Sequence, residues 1–384
     1  MNILFIATYE GMSGASYSLL GMIEELYNLG VKSYVVLLKD GKMRNELEKR
    51  NIPFYILRGY PWVIASSKRG ILKQKILWMI KCMYNAKAET GICKIIKENN
   101  IDIVHINAFT ASVGFHAGER LNVPIVWHIR EFVEEDLGKL FWNKKKALKR
   151  LERADRVIAI SKSVGDKYGR LAPNAKIQVV YNGIPTDEYS NGRRAPAFSK
   201  VSISAILAGR IDPGKGHKEV IEALCEIGAE DLHDFQLNIA GISQSEEFED
   251  KIRKLVLDSG LEKIVHFLGF RTDLPEIYKN SDIAIVSSKA EAFGRVTVEA
   301  MMGGTLVVGA DTAGTKEIIG ENYGVLYKQG DSHDLAKKLR FVIANKEKYC
   351  EIARKGQEYA LHTFTAKRNA ENVFKIYSQI GTSD

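Results

Sequence analysis

Residues 282–303 read Asp-Ile-Ala-Ile-Val-Ser-Ser-Lys-Ala-Glu-Ala-Phe-Gly-Arg-Val-Thr-Val-Glu-Ala-Met-Met-Gly, and the reading of this stretch decides the fold. The apolar run Ile283 to Val286 suits a strand buried on both faces, a polar turn from Ser287 to Glu291 leaves it, and a helical pattern opens at the small residue Gly294. A strand, a short loop and a helix start in that order bring backbone amides and the positive end of a helix dipole to one place, a ready site for phosphate. Glu291 falls in the loop, and Glu299, eight residues on, lies about two turns into the helix. Two carboxylates beside an anion site conflict unless they bind hydroxyl groups of a ligand that also carries phosphate. A nucleoside diphosphate sugar meets both demands.

The strand and helix rhythm extends in both directions. Strand-like runs recur at Ile203 to Ala208, Gln236 to Ala240, Ile264 to Phe267, Leu306 to Val308 and Gly324 to Tyr327, and a helical tail runs from about Asp331 to Gln379 with breaks near Asn345 and His362. Residues 183–200 concentrate Gly, Pro, Ser and Asn and break every periodicity, so they read as a linker. Before them a second series, beginning with Asn2 to Thr8 and Tyr34 to Leu38 and continuing at Phe54, Ile103, Ile125, Val157 and Ile177, gives another α/β domain. At 384 residues the chain exceeds a single core, which fits domains at 1–185 and 186–362 with 363–384 as a helix packing back on the first. Apolar content of 45% and charged content of 27% suit a globular chain, and no apolar run is long enough to span a bilayer. The N-terminal run Met-Asn-Ile-Leu-Phe-Ile-Ala-Thr reads as a first buried strand rather than a signal peptide. Cys82, Cys93, Cys225 and Cys350 show no paired spacing, which favours a reducing compartment, with the cytoplasm as default.

Gly209-Arg210-Ile211-Asp212-Pro213-Gly214-Lys215-Gly216 carries most of a P-loop but ends in glycine where a magnesium-binding Ser or Thr is needed. The better reading is a cationic clamp in which Arg210 and Lys215 neutralise a pyrophosphate. With no D-x-D, no paired histidines and no carboxylate cluster, neither a cofactor nor a metal is expected. The small-residue loop before about Ser16 is a weaker phosphate signal and lacks the full dinucleotide spacing. Ala313 to Glu317 reads as a small-residue turn concerned mainly with packing.

Glu291, seven intervening residues and Glu299, with Phe293-Gly294 between them, resemble the signature of family-4 retaining glycosyltransferases, including those of bacterial polysaccharide biosynthesis. The resemblance covers essentially the whole chain and implies the GT-B architecture, an α/β fold of two doubly wound Rossmann-like domains facing across a cleft. It implies that Glu299 binds ribose hydroxyls and Glu291 the transferred sugar. It adds the amides of Phe293, Gly294, Val296 and Thr297 to the phosphate site, with Gly209, and assigns the base to the backbone near Phe270 and Arg271. Gly14 and Ala15 then approach the phosphates from the first domain, and His128, at a strand end, stands near the transferred sugar, with Arg130 and Glu131 as acceptor or phosphate contacts. Arg295 departs from the family's usual aliphatic residue and Ala292 from its usual glycine, and neither role follows from sequence. No residue stands out as a covalent nucleophile, so the expected path is front-face substitution with Arg210 and Lys215 on the leaving group. Retention is carried over from the family.

The expected reaction moves a sugar from a nucleotide donor, with a UDP-sugar first in expectation, to a hydroxyl of a glycan or polyprenyl-linked acceptor. A nucleotide-sugar epimerase of related fold and a non-catalytic sugar-nucleotide-binding protein are the alternatives. Residues 1–190 hold 29 Lys and Arg against 19 Asp and Glu, so the basic surface belongs to the acceptor-side domain; no RNA-type aromatic motif accompanies it, and nucleic acid is not expected as a partner. Residues 68–88 hold six basic side chains and no acidic one. As a helix they stripe Leu72, Ile76, Met79 and Met83 along one side, with Trp78 on a flank and Lys73, Lys75 and Lys81 largely off it. That pattern fits either an anionic membrane surface, on the inner face of the cytoplasmic membrane, or a core-facing helix with solvated lysines.

Overall fold

In the computed structural model the described residues are 1–8, 11–65, 71–189, 196–243 and 245–380, with the side chains of 65 and 71–76 also outside the description. The chain divides into two units: Met1–Gly183 with Ala366–Asp384, and Ile184–Thr365. Both crossings meet at one short pairing, where Ile184 bridges Thr365 and its amide donates to Phe364 O (2.9 Å).

Unit 1 holds the strands β1 (Asn2–Ala7), β2 (Lys32–Leu37), β3 (Phe54–Ile56), β4 (Val63–Ala65), β5 (Ile103–Ile106), β6 (Ile125–Ile129), β7 (Lys139–Phe141), β8 (Arg156–Ala159) and β9 (Ile177–Val179). Seven form a parallel sheet in the order β3-β2-β1-β5-β6-β8-β9, and β4 pairs antiparallel with β7 as a separate ribbon. The central strands are buried along almost their whole length and are apolar apart from Asn2, His105 and His128, as strands covered on both faces are. The helix Ala366–Ile380 lays Ala370, Val373, Ile376 and Tyr377 into a core shared with Leu19, Ile23 and Leu26 of the helix Gly14–Asn28. That second helix starts two residues before the Ser16 at which its periodicity begins, because the Ser13 side chain caps it by accepting from Ser16 N.

Unit 2 holds β10 (Ile203–Ala208), β11 (Phe235–Ala240), β12 (Val265–Gly269), β13 (Ile283–Val286), β14 (Leu306–Ala310) and β15 (Val325–Tyr327), all parallel, in the order β12-β11-β10-β13-β14-β15. The tail forms the helices Ser332–Ala344, Lys346–Thr363 and Ala366–Ile380.

Two expectations need correcting. The 183–200 stretch is a linker only in part: the units divide at Gly183 and Ile184, but Ala197 and Phe198 sit in the unit 2 core, Tyr189 is buried, and the Asp282 carboxylate accepts from Phe198 N (2.7 Å) and Ser204 N (2.9 Å). Residues 190–195 of it lie outside the described residues. The turn expected at Ala313 to Glu317 is a helix, Ala313–Ile319.

Candidate active site

In an open parallel sheet the loops that diverge where strand order reverses leave a crevice at the C-terminal strand ends. In unit 2 that reversal lies between β10 and β13, so the loops 209–216 and 287–294 emerge side by side. They interlock through backbone. Ser287 Oγ donates to Lys215 O (2.7 Å) and Lys289 N to Gly214 O (2.8 Å). Gly216 takes a φ of +74°, and a Cβ there would lie 2.2 Å from Ser287 O, so only glycine permits the approach.

This packing brings Lys215 Nζ to 2.5 Å from Glu291 Oε1, with the side chains 25% and 13% exposed. Arg210 remains 58% exposed and pairs with Asp212 (Nε to Oδ2, 3.1 Å), whose other oxygen accepts from Gly214 N (2.8 Å). The carboxylate thus shapes the loop and holds the guanidinium near its mouth. The helix Arg295–Met302 follows Gly294, and beneath its first turn the buried Thr297 hydroxyl has no hydrogen-bond partner. Arg295, undecided from sequence, turns along its helix to Glu299, donating from Nε (3.2 Å) and Nη2 (2.8 Å) to one carboxylate oxygen. The i, i+4 spacing carried that signal. Each expected acidic ligand contact therefore has its own cation. Burial, and then the nearby Glu299, push the buried Tyr189 phenol up, a neighbour that no sequence motif announced.

Gly209, Arg210, Lys215, Glu291, Gly294, Val296, Thr297 and Glu299 thus share one sheet edge. The Phe293 ring is buried against Phe364 (5.8 Å), so only its backbone is offered to a ligand. Phe270 and Arg271 follow β12, two strands further out on the same edge; Phe270 is exposed and Arg271 pairs with Asp273 (2.8 and 2.5 Å).

In unit 1, Gly14 and Ala15 open the helix that follows β1, and β1 and β5 flank the order reversal of that sheet. His128 ends up wholly buried. Tyr377 O–H donates to His105 Nδ1 (2.6 Å), and His105 Nε2 lies 3.2 Å from His128 Nδ1, which Arg130 Nη2 also approaches (3.3 Å). Burial, then the Arg130 charge, hold both imidazoles well below the usual histidine range, so they are neutral. The arginine makes Nδ1 of His128 the acceptor and leaves the proton on Nε2, a buried atom with no partner. No atom of His128 is exposed to act beside a sugar in this structure; it orients Arg130, which also donates to Asn107 (2.8 Å) and Asn182 (2.5 Å). Glu131 is likewise buried and accepts from Thr110 N (2.9 Å) and Arg130 N (3.0 Å), tying two strand-end loops together.

The basic stretch lies on the helix Ile71–Glu98. Lys68 and Arg69 lie outside the described residues, as do the side chains of Lys73 and Lys75. Met79 and Met83 are 68% and 73% exposed, with Leu77 and Ile80 beside them, so this part of the stripe does not face a core. Trp78 stacks on Trp142 (5.0 Å), and Lys81 lies 5.8 Å from the Tyr60 ring centre. Among the described residues no helix is long and apolar enough to cross a membrane.

Comparison with known proteins agrees with this geometry. The family described as Glycosyltransferase Family 4 matches residues 12–188, and Glycosyl transferases group 1 matches residues 192–359. An uncharacterized glycosyltransferase of Methanocaldococcus jannaschii is 29% identical over 64% of this chain and 65% of its own length. The D-inositol 3-phosphate glycosyltransferase of Geodermatophilus obscurus is 26% identical over 72% of this chain and 66% of its own. The matches span about two thirds of the length of these relatives. The crystal structure of Anabaena HepE in complex with UDP superposes with a TM-score of 0.81 at 25% identity, covering 99% of this chain and 100% of HepE; HepE has also been crystallised with UDP-glucose. With one family description matching in each of its two Rossmann-like units, the chain belongs to the family-4 glycosyltransferases of GT-B architecture.

Proposed function

We propose that the protein is a retaining, metal-independent glycosyltransferase that moves a sugar from a UDP-sugar to a hydroxyl of a glycan or polyprenyl-linked acceptor, in the synthesis of a cell-surface polysaccharide. One observation carries this reading: Lys215, Arg210 and Glu291 stand on the two loops that diverge at the strand-order reversal of unit 2, and Glu299 on the helix that continues the second of them. The UDP and UDP-glucose complexes of HepE support the choice of donor.

The acceptor oxygen forms a bond to the anomeric carbon on the face the diphosphate leaves. The carbon–oxygen bond to phosphate breaks, its electron pair stays on the phosphate oxygen, and that oxygen takes the acceptor proton. Lys215 and Arg210 stabilise the charge that grows on the departing diphosphate. Lys215 spends one of its three N–H donors on Glu291, and Glu291 uses its second oxygen for a hydroxyl of the transferred sugar. Glu299 holds the ribose, and Arg295 fixes its rotamer. Metal independence rests on the cationic side chains of Lys215 and Arg210, which stand where a diphosphate would otherwise need an ion.

The acceptor belongs to the basic unit 1, where Arg130 and Glu131 shape the strand-end loops. The exposed Leu77, Met79, Ile80 and Met83, on a helix that also carries Lys73, Lys75, Lys81 and Lys87, serve peripheral binding to the cytoplasmic face of an anionic membrane. Incubating the purified protein with UDP-, GDP- and ADP-sugars tests the donor: slow hydrolysis of a UDP-sugar to UDP and a retained sugar is expected, and hydrolysis confined to GDP- or ADP-sugars overturns it.

A further inference from the structure

Unit 1 contains a second concavity that the donor chemistry does not use. The β4–β7 ribbon pairs Val63 with Phe141, so the residues just beyond, Trp62 and Trp142, come together at its end, joined by Trp142 N donating to Trp62 O (2.9 Å). Trp78, from the helix Ile71–Glu98, stacks on Trp142. The three indoles wall a cavity of about 370 Å³ that also borders Glu89, His116 and Arg150. Trp62 is held rigidly, stacked on Trp127 (5.6 Å) with its indole N–H donating to Phe109 O (2.7 Å).

The cationic group at the centre of this cavity is Arg150, and the two carboxylates whose charge reaches it, Glu89 and Glu119, do not touch it. Arg150 is nine-tenths buried, its guanidinium 5.2 Å from the Trp62 ring centre and 5.5 Å from that of Phe115. Its hydrogen bond goes to Nε2 of His116, and among the described residues no carboxylate lies within 4 Å of it. Glu119 is taken by His116 and Arg153, and Glu89 accepts from the amides of Gly114 (3.0 Å) and Ala117 (2.8 Å). Burial, then the Arg150 charge, lower the His116 pKa, which favours the neutral imidazole that accepts from Arg150 at Nε2. Lys146, one turn before Arg150 on the helix Lys144–Arg153, adds a second cation at the rim. A buried guanidinium without a carboxylate in contact is costly unless an anion completes it.

The cavity also lies on the ligand-collecting edge of the sheet. Its walls come from segments that follow β3, β5 and β6, and Trp62 N donates to the carbonyl of Thr110, whose amide binds Glu131. Apolar walls with a few convergent polar groups and a volume of this size are what small-molecule sites have. Flat indoles suit the apolar faces of a sugar ring, and a guanidinium matches the two oxygens of a carboxylate or phosphate.

The geometry points to a subsite for one sugar ring of the acceptor that bears a negative group, with the ring against the tryptophans and the anion on Arg150. This rests on the reading of unit 1 as the acceptor side. The probes are methyl glucuronide, glucose 1-phosphate and the neutral methyl glucoside, titrated by tryptophan fluorescence and saturation-transfer NMR with the donor site saturated by UDP. At least one anionic probe should bind the native protein in the millimolar range and about tenfold more tightly than the neutral one; which of the two binds separates a uronate from a sugar phosphate. Arg150→Gln should abolish that preference, and the exposed-side change Lys146→Gln should reduce it several-fold. Equal affinity for charged and neutral probes, no binding of either anionic probe to the native protein, or an undiminished preference in both variants overturns the proposal. A separate UDP titration of the native protein reads unit 2 alone, so failure there counts against the donor reading and not against this subsite.

Discussion

Replacing Lys215 by alanine probes the donor site through stability and through turnover. Its contact with Glu291 is 2.5 Å long between side chains 25% and 13% exposed. Two unit charges at that distance attract by about 7 kcal/mol at an effective dielectric constant of about 20, before the desolvation of both groups is subtracted. Exposed pairs net below about 1 kcal/mol, whereas removing one partner of a fully buried pair costs about 3–5 kcal/mol. A partly buried pair belongs between them, so Lys215→Ala should lower the stability of unit 2 by about 1–3 kcal/mol. Glu291→Ala should cost a similar amount, and the double variant less than the sum, since neither charge is then left alone. Turnover should fall further. Loss of one donor aimed at charge that develops in the transition state costs about 2.7–4 kcal/mol, a fall in kcat of about 10²- to 10³-fold. The assay is UDP release from a UDP-sugar, with kcat and KM resolved, beside urea unfolding of all four proteins. A raised KM with kcat unchanged means that Lys215 binds ground and transition states equally, and refutes the leaving-group role.

Activity should persist in EDTA; loss restored by manganese alone contradicts the metal-independent mechanism. Native protein should co-sediment with anionic vesicles at low salt, and a Met79→Ser/Met83→Ser/Lys81→Glu variant should not; equal sedimentation of the two removes the membrane assignment for the helix Ile71–Glu98. Burial raises the Glu89 carboxyl from 4.5 to about 7 in the folded chain. The unfolded chain therefore loses this proton first, and Glu89 withdraws stability from unit 1 as pH rises from 4.5 to about 7. Glu89→Gln should accordingly gain on the native protein across that window, by at most about 3 kcal/mol, in urea unfolding at about pH 5 and about pH 8. A difference that does not change with pH contradicts the raised carboxyl.

Much of the architecture was legible because parallel strands buried on both faces announce themselves as unbroken apolar runs, as Ile283 to Val286 does. The Lys215 and Glu291 loops were legible as motifs, but their mutual pairing depends on which strands are neighbours. The ribbon of Val63–Ala65 and Lys139–Phe141 was not legible, since three-residue strands with a remote partner leave no periodic trace. For the same reason nothing in the sequence gathered Trp62, Trp78 and Trp142 into one wall. Residues 196–200 read as linker because Pro, Ser and Lys surround Phe198, whose burial is fixed by the distant Asp282. His128 could be placed on a strand end, but its partner there is His105 of the neighbouring strand, which is held in turn by Tyr377, 272 residues beyond His105.

The most direct test of the donor site is calorimetric titration of UDP and of its UDP-sugar into the native protein, Glu299→Ala and Glu291→Ala. If Glu299 holds the ribose and Glu291 the transferred sugar, Glu299→Ala weakens both ligands alike, whereas Glu291→Ala weakens the UDP-sugar and leaves UDP nearly unchanged. Equal losses for both ligands in both variants, or no loss in either, contradict the assignment.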